Sequence, residues 1–594
     1  MITVEIDIHL CSMRLIDVEA FLKRERLFGE GERVDRRTKV LEFGDDEATE
    51  YAILSHRWIG QEVDYNEVVK LAKMDEEVRS EIRQRDGYQK ILQSCEQAKK
   101  DGYKWLWVDT CCIDKRSSAE LSEAINSMYR WYENSKICYA YLHDLPGPSF
   151  PIATDYERYP KSNGWPEWFS RGWTLQEMIA PRNVQFFNKD WHPIGHKRTL
   201  APTLQTITQV PQHILEEGLS SHRPCVAQII SWAANRTTTR VEDKAYSLMG
   251  LLDVNMPMLY GEGKKAFHRL QLEIIRTSND QSIFAWSCNG INVRAGSILA
   301  DDPNFFWDCD KMELMDLDEF DKFLRHDTEL PLIEDDRFGT FPITNRGIQI
   351  WLLLRPHVDF ARVFRAPLPC RSRPSGPPVT IDLAQWESNY YRLSGSLRHE
   401  WGPQLELRQV YLRYQDTLHF NSTFEFDDSA IVKEGFTCSS TYPEEIITGN
   451  TATLSITDPL WVKSYSCGQG YHFAVGFGHW FGKSTIQVVS KESGMIPWNP
   501  YNLILSGAGE CVQLINNASG PASSLVYILQ THLPHSTWIL QTSCIMWKSS
   551  KICGVKFEVF RSPGFGNVSG GWRSFAVDVS SRLFFFCART LLSY

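Results

Sequence analysis

Trp173 and Glu177 are the pair of residues whose types and spacing best suit chemistry in this chain. They stand four residues apart in the segment 170–178, where Thr174 is a candidate N-cap and the residues after it are typical of a first helical turn. This spacing lets the ring and the carboxylate border one pocket. The helix dipole at this position favours the ionised carboxylate. An ionised carboxylate beside an aromatic wall suits a reaction that builds positive charge on a sugar.

The same residues have a purely structural interpretation. Glu177 could cap its own helix or pair with Arg171, and for an isolated tryptophan–glutamate spacing this interpretation is the more frequent one. The case for chemistry therefore depends on polar clusters elsewhere in the chain that the fold would bring to the same place.

The elements that must position these residues are short apolar runs alternating with helical segments. The runs lie at 51–55, 105–109, 137–142 and 183–187, after a first run at 13–17 and a charged connector at 24–39. Helices are predicted at 86–100 and from a capping box at 117–120 to a C-cap at Asn134. Alternation of this kind is typical of a doubly wound α/β domain with a mostly parallel sheet.

Polar and aromatic residues follow three of these runs. Because ligands of open α/β sheets bind beyond the carboxyl ends of the strands, these residues are predicted to line one cleft. The predicted cleft residues are Ser55, Arg57, Trp58, Asp109, Trp173 and Glu177.

The spacing of apolar residues changes twice in the remainder of the chain. Apolar residues recur at helical spacing from 223 to 276, and short alternating runs typical of antiparallel strands follow after 283. The predicted domains are therefore 1–195 (α/β), 196–290 (a helical extension) and 291–594 (a β-rich region of unknown role). The run Gly261 to Lys264 lacks the spacing of a phosphate-binding loop, so a turn and helix start is the preferred interpretation.

Composition excludes several functional classes. A length of 594 residues predicts more than one domain, and a formal net charge of -10 argues against a general nucleic-acid binder. The first residues lack the basic segment of a secretory signal, and no apolar run approaches the length of a spanning helix. Fifteen cysteines without a C-x-x-C pair predict reduced thiols, a cytoplasmic protein and no metal site.

Three segments carry a family resemblance. Residues 51–58, 105–114 and 171–177 resemble the three motifs of the fungal heterokaryon-incompatibility (HET) domain. The segments 243–251 and 259–263 are similar to those that follow in that family, and the resemblance extends over roughly residues 13–290. It implies a protein of vegetative incompatibility that triggers regulated cell death.

That family is in turn similar to TIR domains, which have a flavodoxin-like fold. Leu54 to Arg57 resembles the end of the first TIR strand, 124–137 resembles the helix–strand unit before the catalytic helix, and 170–178 resembles the catalytic segment of plant-type TIR domains. The resemblance implies that Glu177 is the catalytic residue of NAD hydrolysis, with NAD as substrate and no prosthetic group.

The resemblance also implies that the other cleft residues bind NAD. Trp173 or Trp58 would stack on nicotinamide or adenine, and Arg57 would hold the diphosphate through paired donors. The alternative is a non-enzymatic module that self-associates and assembles with other incompatibility or signalling proteins, in which the same motif residues determine the fold.

Overall fold

The computed structural model divides the chain into two compact units. The first comprises residues 1–287, 299–343 and 367–380, and the second comprises 288–298, 344–366 and 381–594. The first unit thus includes residues on both sides of position 290, where the sequence predicted the β-rich region to begin. The residues described are 12–32, 34–35, 39–219, 223–287, 294–325, 339–357, 363–386, 388–394, 401, 404–415, 422–442 and, beyond these, the strands β17–β26 given below.

A seven-stranded sheet forms the centre of the first unit. Its strands are β1 (Ser12–Asp17), β2 (Leu41–Asp45), β3 (Tyr51–His56), β4 (Trp105–Trp107), β5 (Ile137–Tyr141), β6 (Val184–Phe187) and β7 (Pro193–His196). Their order is β2-β1-β4-β3-β5-β6-β7. The four central strands are parallel, whereas β1, β2 and β7 pair antiparallel at the edges. All six residues of β3 are buried, as expected for a central parallel strand.

The central strands follow the flavodoxin-like order. Numbered along the chain, β4-β3-β5-β6 is 2-1-3-4. The connecting helices are α4 (Asp86–Lys100), α5 (Ser118–Asn134) and the short α6 (Thr174–Ile179). Right-handed crossovers in this order place α4 on one face and the other two helices on the opposite face. Contacts between α5 and α6 agree with that arrangement, so the predicted mixed α/β domain with a parallel sheet is confirmed.

Several local predictions were wrong. The charged connector predicted at 24–39 begins inside a helix, α1 (Val18–Gly29), because Asp17 caps the helix and Phe21 is buried on its inner face. The capping box at 117–120 is half formed: Ser117 accepts from the amide of Glu120, whereas the Glu120 carboxylate accepts from the amide of Asp114. The C-cap of α5 is Ser135, one residue beyond the predicted Asn134.

Short helices make up most of the rest of the first unit. Those within the N-terminal part are α2 (Tyr65–Lys70) and α3 (Glu76–Gln84). The helical extension contains α7 (Lys197–Thr208), α8 (Gln212–Glu217), α9 (Val226–Ser231), α10 (Asp243–Tyr246), α11 (Met249–Leu252) and α12 (Lys265–Thr277), and α13 (Leu317–Arg325) follows. Among the helices that the structure describes, none is both long and apolar enough to cross a membrane.

Strands dominate after residue 294, as predicted. The second sheet is built from β8 (Arg294–Gly296), β9 (Glu313–Leu314), β10 (Ile348–Pro356), β11 (Val363–Arg371), β12 (Pro378–Trp386), β13 (Asn389–Ser394) and β14 (Glu406–Leu412). Its order is β10-β14-β13-β12-β11-β9, with β8 on β13. Most of its described pairings are antiparallel; β13 and β14 run parallel.

Two further sheets lie within the second unit. One has the order β17-β18-β15-β25-β24-β23-β26 and the other β16-β19-β20-β21-β22. Their strands are β15 (Ser422–Asp427), β16 (Phe436–Tyr442), β17 (Ile447–Thr448), β18 (Thr451–Leu454), β19 (Leu460–Cys467), β20 (His472–Trp480), β21 (Lys483–Lys491), β22 (Glu510–Gln513), β23 (Ser524–His532), β24 (Trp538–Trp547), β25 (Ile552–Arg561) and β26 (Arg573–Asp578). A short helix, α14 (Ser429–Lys433), follows β15. The antiparallel β prediction for this region is confirmed.

Candidate active site

A cavity of about 450 Å³ lies beyond the carboxyl ends of β3 and β4 and beside α6. It is lined by His56, Arg57, Trp58, Asp109, Ile113, Lys115, Leu121, Ile125, Met128, Arg171, Trp173, Thr174, Glu177, Thr239, Arg240, Asp243 and Tyr260. Five of the six predicted cleft residues line it. The sixth, Ser55, is fully buried behind it and contacts Glu177. The structure thus brings the six residues together, while their roles in binding and catalysis stay predictions.

Glu177 is held by a chain of two hydrogen bonds. Ser55 Oγ donates to Glu177 Oε2 at 2.5 Å, and Trp168 Nε1 donates to Ser55 Oγ at 2.9 Å. Ser55 and Trp168 are fully buried, and Glu177 is only 8% exposed. Because Ser55 at the end of β3 holds the carboxyl group and is itself held by Trp168 in the segment before α6, the carboxyl group is oriented by the protein alone.

Burial controls the charge of Glu177. It raises the pKa of this carboxyl to about 8, and the Ser55 hydroxyl and the nearby Arg171 and Arg236 guanidinium groups lower it by less. The expectation that the helix dipole keeps Glu177 ionised was therefore wrong. The dipole of a short helix stabilises the carboxylate form much less than burial destabilises it. Without a positively charged group nearby, a carboxyl group with this pKa is mostly protonated at neutral pH.

The start of α6 is also organised differently from the prediction. Thr174 is not the N-cap: Trp173 occupies that position in a helical conformation without a side-chain cap. The Thr174 hydroxyl instead donates to the carbonyls of Trp168 and Arg171, at 2.6 and 3.0 Å. Thr174 therefore ties the helix to the turn that precedes it.

Arg236 is a site residue that the sequence did not reveal. It is 6% exposed, and its Nη1 donates to the Arg171 carbonyl at 2.8 Å and to Thr174 Oγ1 at 3.2 Å. Burial lowers the pKa of this guanidinium to about 9, and the neighbouring Glu177 raises it by less. It stands alone between small and polar residues in the sequence, with no motif around it, so nothing there indicated a role.

Lys197 supports the other end of α6. Its ammonium is buried and donates to the carbonyls of Met178 and Ile179, at 3.1 and 3.3 Å, and to that of Pro181. A cation at a helix C-terminus satisfies orphan carbonyls and complements the dipole. The helix carrying Glu177 is therefore fixed at both ends.

Trp58, Asp109 and Arg57 occupy the mouth of the cavity. Trp58 is 52% exposed, and its Nε1 donates to Asp109 Oδ2 at 2.9 Å. The Lys115 ammonium lies 3.8 Å from the centre of the Trp58 ring. Arg57 forms an ion pair with Glu167, which leaves its guanidinium less available for a diphosphate than the sequence suggested.

The helical extension completes the cavity. Thr239, Arg240, Asp243 and Tyr260 come from it, and the Tyr260 hydroxyl donates to Asp243 Oδ1 at 3.1 Å. Burial raises the pKa of Asp243, and hydrogen bonds from Tyr260 and Trp173 lower it by less. The segments 243–251 and 259–263 carried part of the family resemblance but no predicted site role, so their contribution was missed.

Backbone hydrogen bonds join the helical extension to the segment that carries Trp173, and we call this contact the backbone seam. Gly172 N donates to the Thr237 carbonyl at 3.0 Å, and Thr237 N donates to the Ser170 carbonyl at 2.7 Å. A Cβ atom on Gly172 would lie only 2.6 Å from Cγ2 of Thr238. The glycine between Arg171 and Trp173 is therefore required by this close approach.

Substitution tests this explanation of the glycine. We expect Gly172→Ala to lower the free energy of unfolding by about 1–3 kcal/mol, because overpacking forces the seam apart. Adding Thr238→Ser should restore most of that loss, since serine removes the clashing methyl and keeps the hydroxyl that bonds the Arg240 carbonyl. Urea denaturation measures both. Gly29→Ala is the control, because nothing lies within 4 Å of the added atom; equal losses in the single and double variants would contradict the explanation.

The glycine-rich turn before α12 is occupied by an internal carboxylate. Glu242 Oε1 accepts from the amides of Gly261 and Gly263, at 2.7 and 3.0 Å. These amides would have to be free to hold a phosphate group. The preferred interpretation of this segment as a turn and helix start is confirmed, since α12 begins at Lys265.

Within the described part of the chain, one cluster of a histidine and two carboxylates has donor atoms close enough for a metal ion. The ligand atoms of His143, Asp144 and Glu167 lie within 4.8 Å of one another. Glu167 is already paired with Arg57, and Asp144 Oδ2 accepts from the amide of Glu167 at 2.8 Å. Because a guanidinium competes for the same carboxylate, this cluster is better explained as an ion-pair network.

Comparison with known proteins agrees with part of the resemblance. A family model described as Heterokaryon incompatibility protein (HET) matches residues 51–163. We call residues 51–163, which are similar to this family, the HET region. Over 233 residues the chain is 42% identical to Vegetative incompatibility protein HET-E-1 of Podospora anserina. The aligned segment covers 38% of this chain and 16% of that protein. A second family model, described as Domain of unknown function (DUF8212), matches residues 265–295.

These matches confirm the resemblance to heterokaryon-incompatibility proteins at the level of the HET region. The region includes β3, β4 and β5 with Ser55, Arg57, Trp58 and Asp109. It ends before Trp173 and Glu177, so the third predicted motif lies outside it. No solved structure matches the chain, and the likeness to TIR domains is not confirmed.

Proposed function

We propose that this chain is a cytoplasmic vegetative incompatibility protein that triggers regulated cell death by hydrolysing NAD. The observation that carries the proposal is a pre-oriented carboxyl group, Glu177, in a cavity with Trp173 and Trp58 among its lining residues. The 2-1-3-4 order of the parallel strands supports a TIR-like domain, and the site lies at the strand ends where ligands of such sheets bind.

The reaction breaks the bond between the ribose C1′ and the nicotinamide nitrogen. The electron pair of that bond returns to the nicotinamide ring and neutralises its charge, while positive charge builds on the ribose. Water then bonds to C1′ and loses a proton, giving ADP-ribose. An ionised Glu177 next to the ribose stabilises the oxocarbenium-like state through electrostatics, which is the usual source of large rate effects in buried sites.

The raised pKa of Glu177 fits a cationic substrate. The nicotinamide ring of NAD carries a positive charge, and an opposite charge a few ångströms away favours the carboxylate. Binding of the substrate would therefore favour ionisation of a group that is otherwise mostly neutral at pH 7. Ser55 keeps one carboxyl oxygen in place during this change.

The direct test follows nicotinamide release from NAD by the purified full chain. Protein concentration is varied, because sites of this kind can form on self-association. We expect release by the wild type and none by Glu177→Ala. If cells expressing the protein die while no concentration releases nicotinamide, the non-enzymatic assembly module is the better account.

A further inference from the structure

The same cavity carries three cationic side chains that lack an ion-pair partner among the described residues. They are Lys115, Arg171 and Arg240, and all three line the cavity. Arg57, the fourth cation of the lining, is instead paired with Glu167. Like charges grouped around one concave space repel each other, and the nearby carboxylates Asp109 and Asp243 attract these cations without forming an ion pair among the described residues.

Each of the three cations is held in place by a neutral group. The Lys115 ammonium lies over Trp58, and the Arg240 guanidinium lies 4.2 Å from the centre of the Tyr260 ring. Arg171 Nη2 donates to Thr239 Oγ1 at 3.1 Å. Such contacts orient a cation without the ion pair that would neutralise it directly, so they pre-organise it for a ligand.

The acidic groups of the cavity each accept a hydrogen bond from a neutral donor. Asp109 accepts from Trp58, Asp243 accepts from Tyr260, and Glu177 accepts from Ser55. Burial lowers the pKa of Arg171, and the proximity of the Arg57 charge lowers it further. With Arg57 paired to Glu167 and Glu177 protonated, the lining has three cations, Lys115, Arg171 and Arg240, against the two carboxylates Asp109 and Asp243. This excess of positive charge favours an anion with several acceptor oxygens.

We propose that Lys115, Arg171 and Arg240 form an anion subsite for the diphosphate of a dinucleotide. Planar guanidinium groups match phosphate oxygens through paired donors, and an ammonium adds a point charge. The diphosphate identity rests on the proposed NAD hydrolysis, whereas the anion subsite itself rests on the charges alone. Arg240 belongs to the extension, so substrate binding requires residues outside the α/β part of the unit.

Calorimetric titration of the full chain tests the subsite with three ligands: NAD, inorganic pyrophosphate and nicotinamide riboside, which lacks phosphate. Arg240→Ala and Arg171→Gln should each weaken NAD and pyrophosphate binding by about tenfold or more, since each removes charge-assisted hydrogen bonds to phosphate oxygens. Riboside binding should be unchanged. Arg116→Ala is the matched control, because this arginine is exposed, paired with Asp114 and outside the lining.

The outcomes separate this proposal from the proposed function. If the two variants lose pyrophosphate binding while the wild type never releases nicotinamide from NAD, the subsite stands and the hydrolysis fails. If NAD is cleaved equally by wild type and both variants, and pyrophosphate binds all three alike, the hydrolysis stands and the subsite is overturned. Melting temperatures identify any variant that fails to fold; Arg240 is exposed, so its replacement is the safer of the two.

Discussion

Glu177→Gln should lower NAD cleavage by about two to three orders of magnitude while the protein remains folded. The substitution keeps the shape of the side chain and its acceptor oxygen for Ser55, and removes only the capacity to become a carboxylate. Loss of one key electrostatic contact in the transition state typically costs a factor of about 10²–10³. Nicotinamide release measures this loss, and cell killing on overexpression should disappear with it.

The fold should tolerate this variant for a reason visible in the cavity. At neutral pH the Glu177 carboxyl group is mostly protonated, because burial raises its pKa to about 8. A neutral glutamine therefore replaces a mostly neutral acid. Trp173→Ala is a poorer test, since loss of a large aromatic side chain can cost about 3–5 kcal/mol. If Glu177→Gln has a normal melting temperature and still kills, and cellular NAD never falls in the wild type, the hydrolase proposal fails.

Stability should depend on pH at this residue with a definite sign. The unfolded chain loses the Glu177 proton near pH 4.5, and the folded chain keeps it up to about pH 8. Between those values the folded state binds more protons, so the wild type loses stability as pH rises, by at most about 1.4 kcal/mol per unit from this group. The Gln variant lacks this loss and should gain stability relative to wild type across the same window.

The sequence predicted the sheet well because its central strands are short apolar runs bounded by turns and helices. Runs at 51–55, 105–109, 137–142 and 183–187 became β3 to β6. The strand-end rule then indicated which polar residues would converge. The continuous apolar runs and their position between turns and helices were sufficient to predict these strands. A strand that is buried on both faces of a sheet is apolar at nearly every position, so it is easily recognised in the sequence.

The edge strands could not be predicted in this way, and neither could the residues that the helical extension contributes to the site. The strands β2 and β7 are mostly exposed or half-buried and carry no clear apolar pattern. Arg236 and Arg240 lie in a segment whose contacts with Arg171 and Tyr260 are set by tertiary packing. The charge of Glu177 was misjudged for the same reason, because burial is a property of the assembled fold.

Activity should rise with pH, and this is the second large effect expected. If the carboxylate form of Glu177 is required, kcat/KM for NAD should follow the ionisation of that group in the free protein, with an apparent pKa of about 8. Below that value the rate constant should change about tenfold per pH unit, which amounts to roughly a hundredfold between pH 5 and pH 7. Nicotinamide release at low NAD concentration, measured across this range, gives the profile.

The profile of kcat should differ from that of kcat/KM. In the complex the positive nicotinamide ring favours the carboxylate, so kcat should reach its plateau at a lower pH. This separation depends on the substrate's charge. A profile of kcat that coincides with that of kcat/KM would mean that the ring does not lie next to Glu177.

Ser55→Ala tests whether Glu177 is the group whose ionisation sets the pH profile of kcat/KM. The Ser55 hydroxyl lowers the pKa of Glu177, so its removal should move the kcat/KM profile to higher pH. Ser94→Ala is the matched control, because Ser94 is equally buried but donates only to backbone carbonyls within α4. A profile that is flat between pH 5 and pH 8, or one that shifts equally in both variants, would show that another group controls the rate and that Glu177 is not the ionising residue.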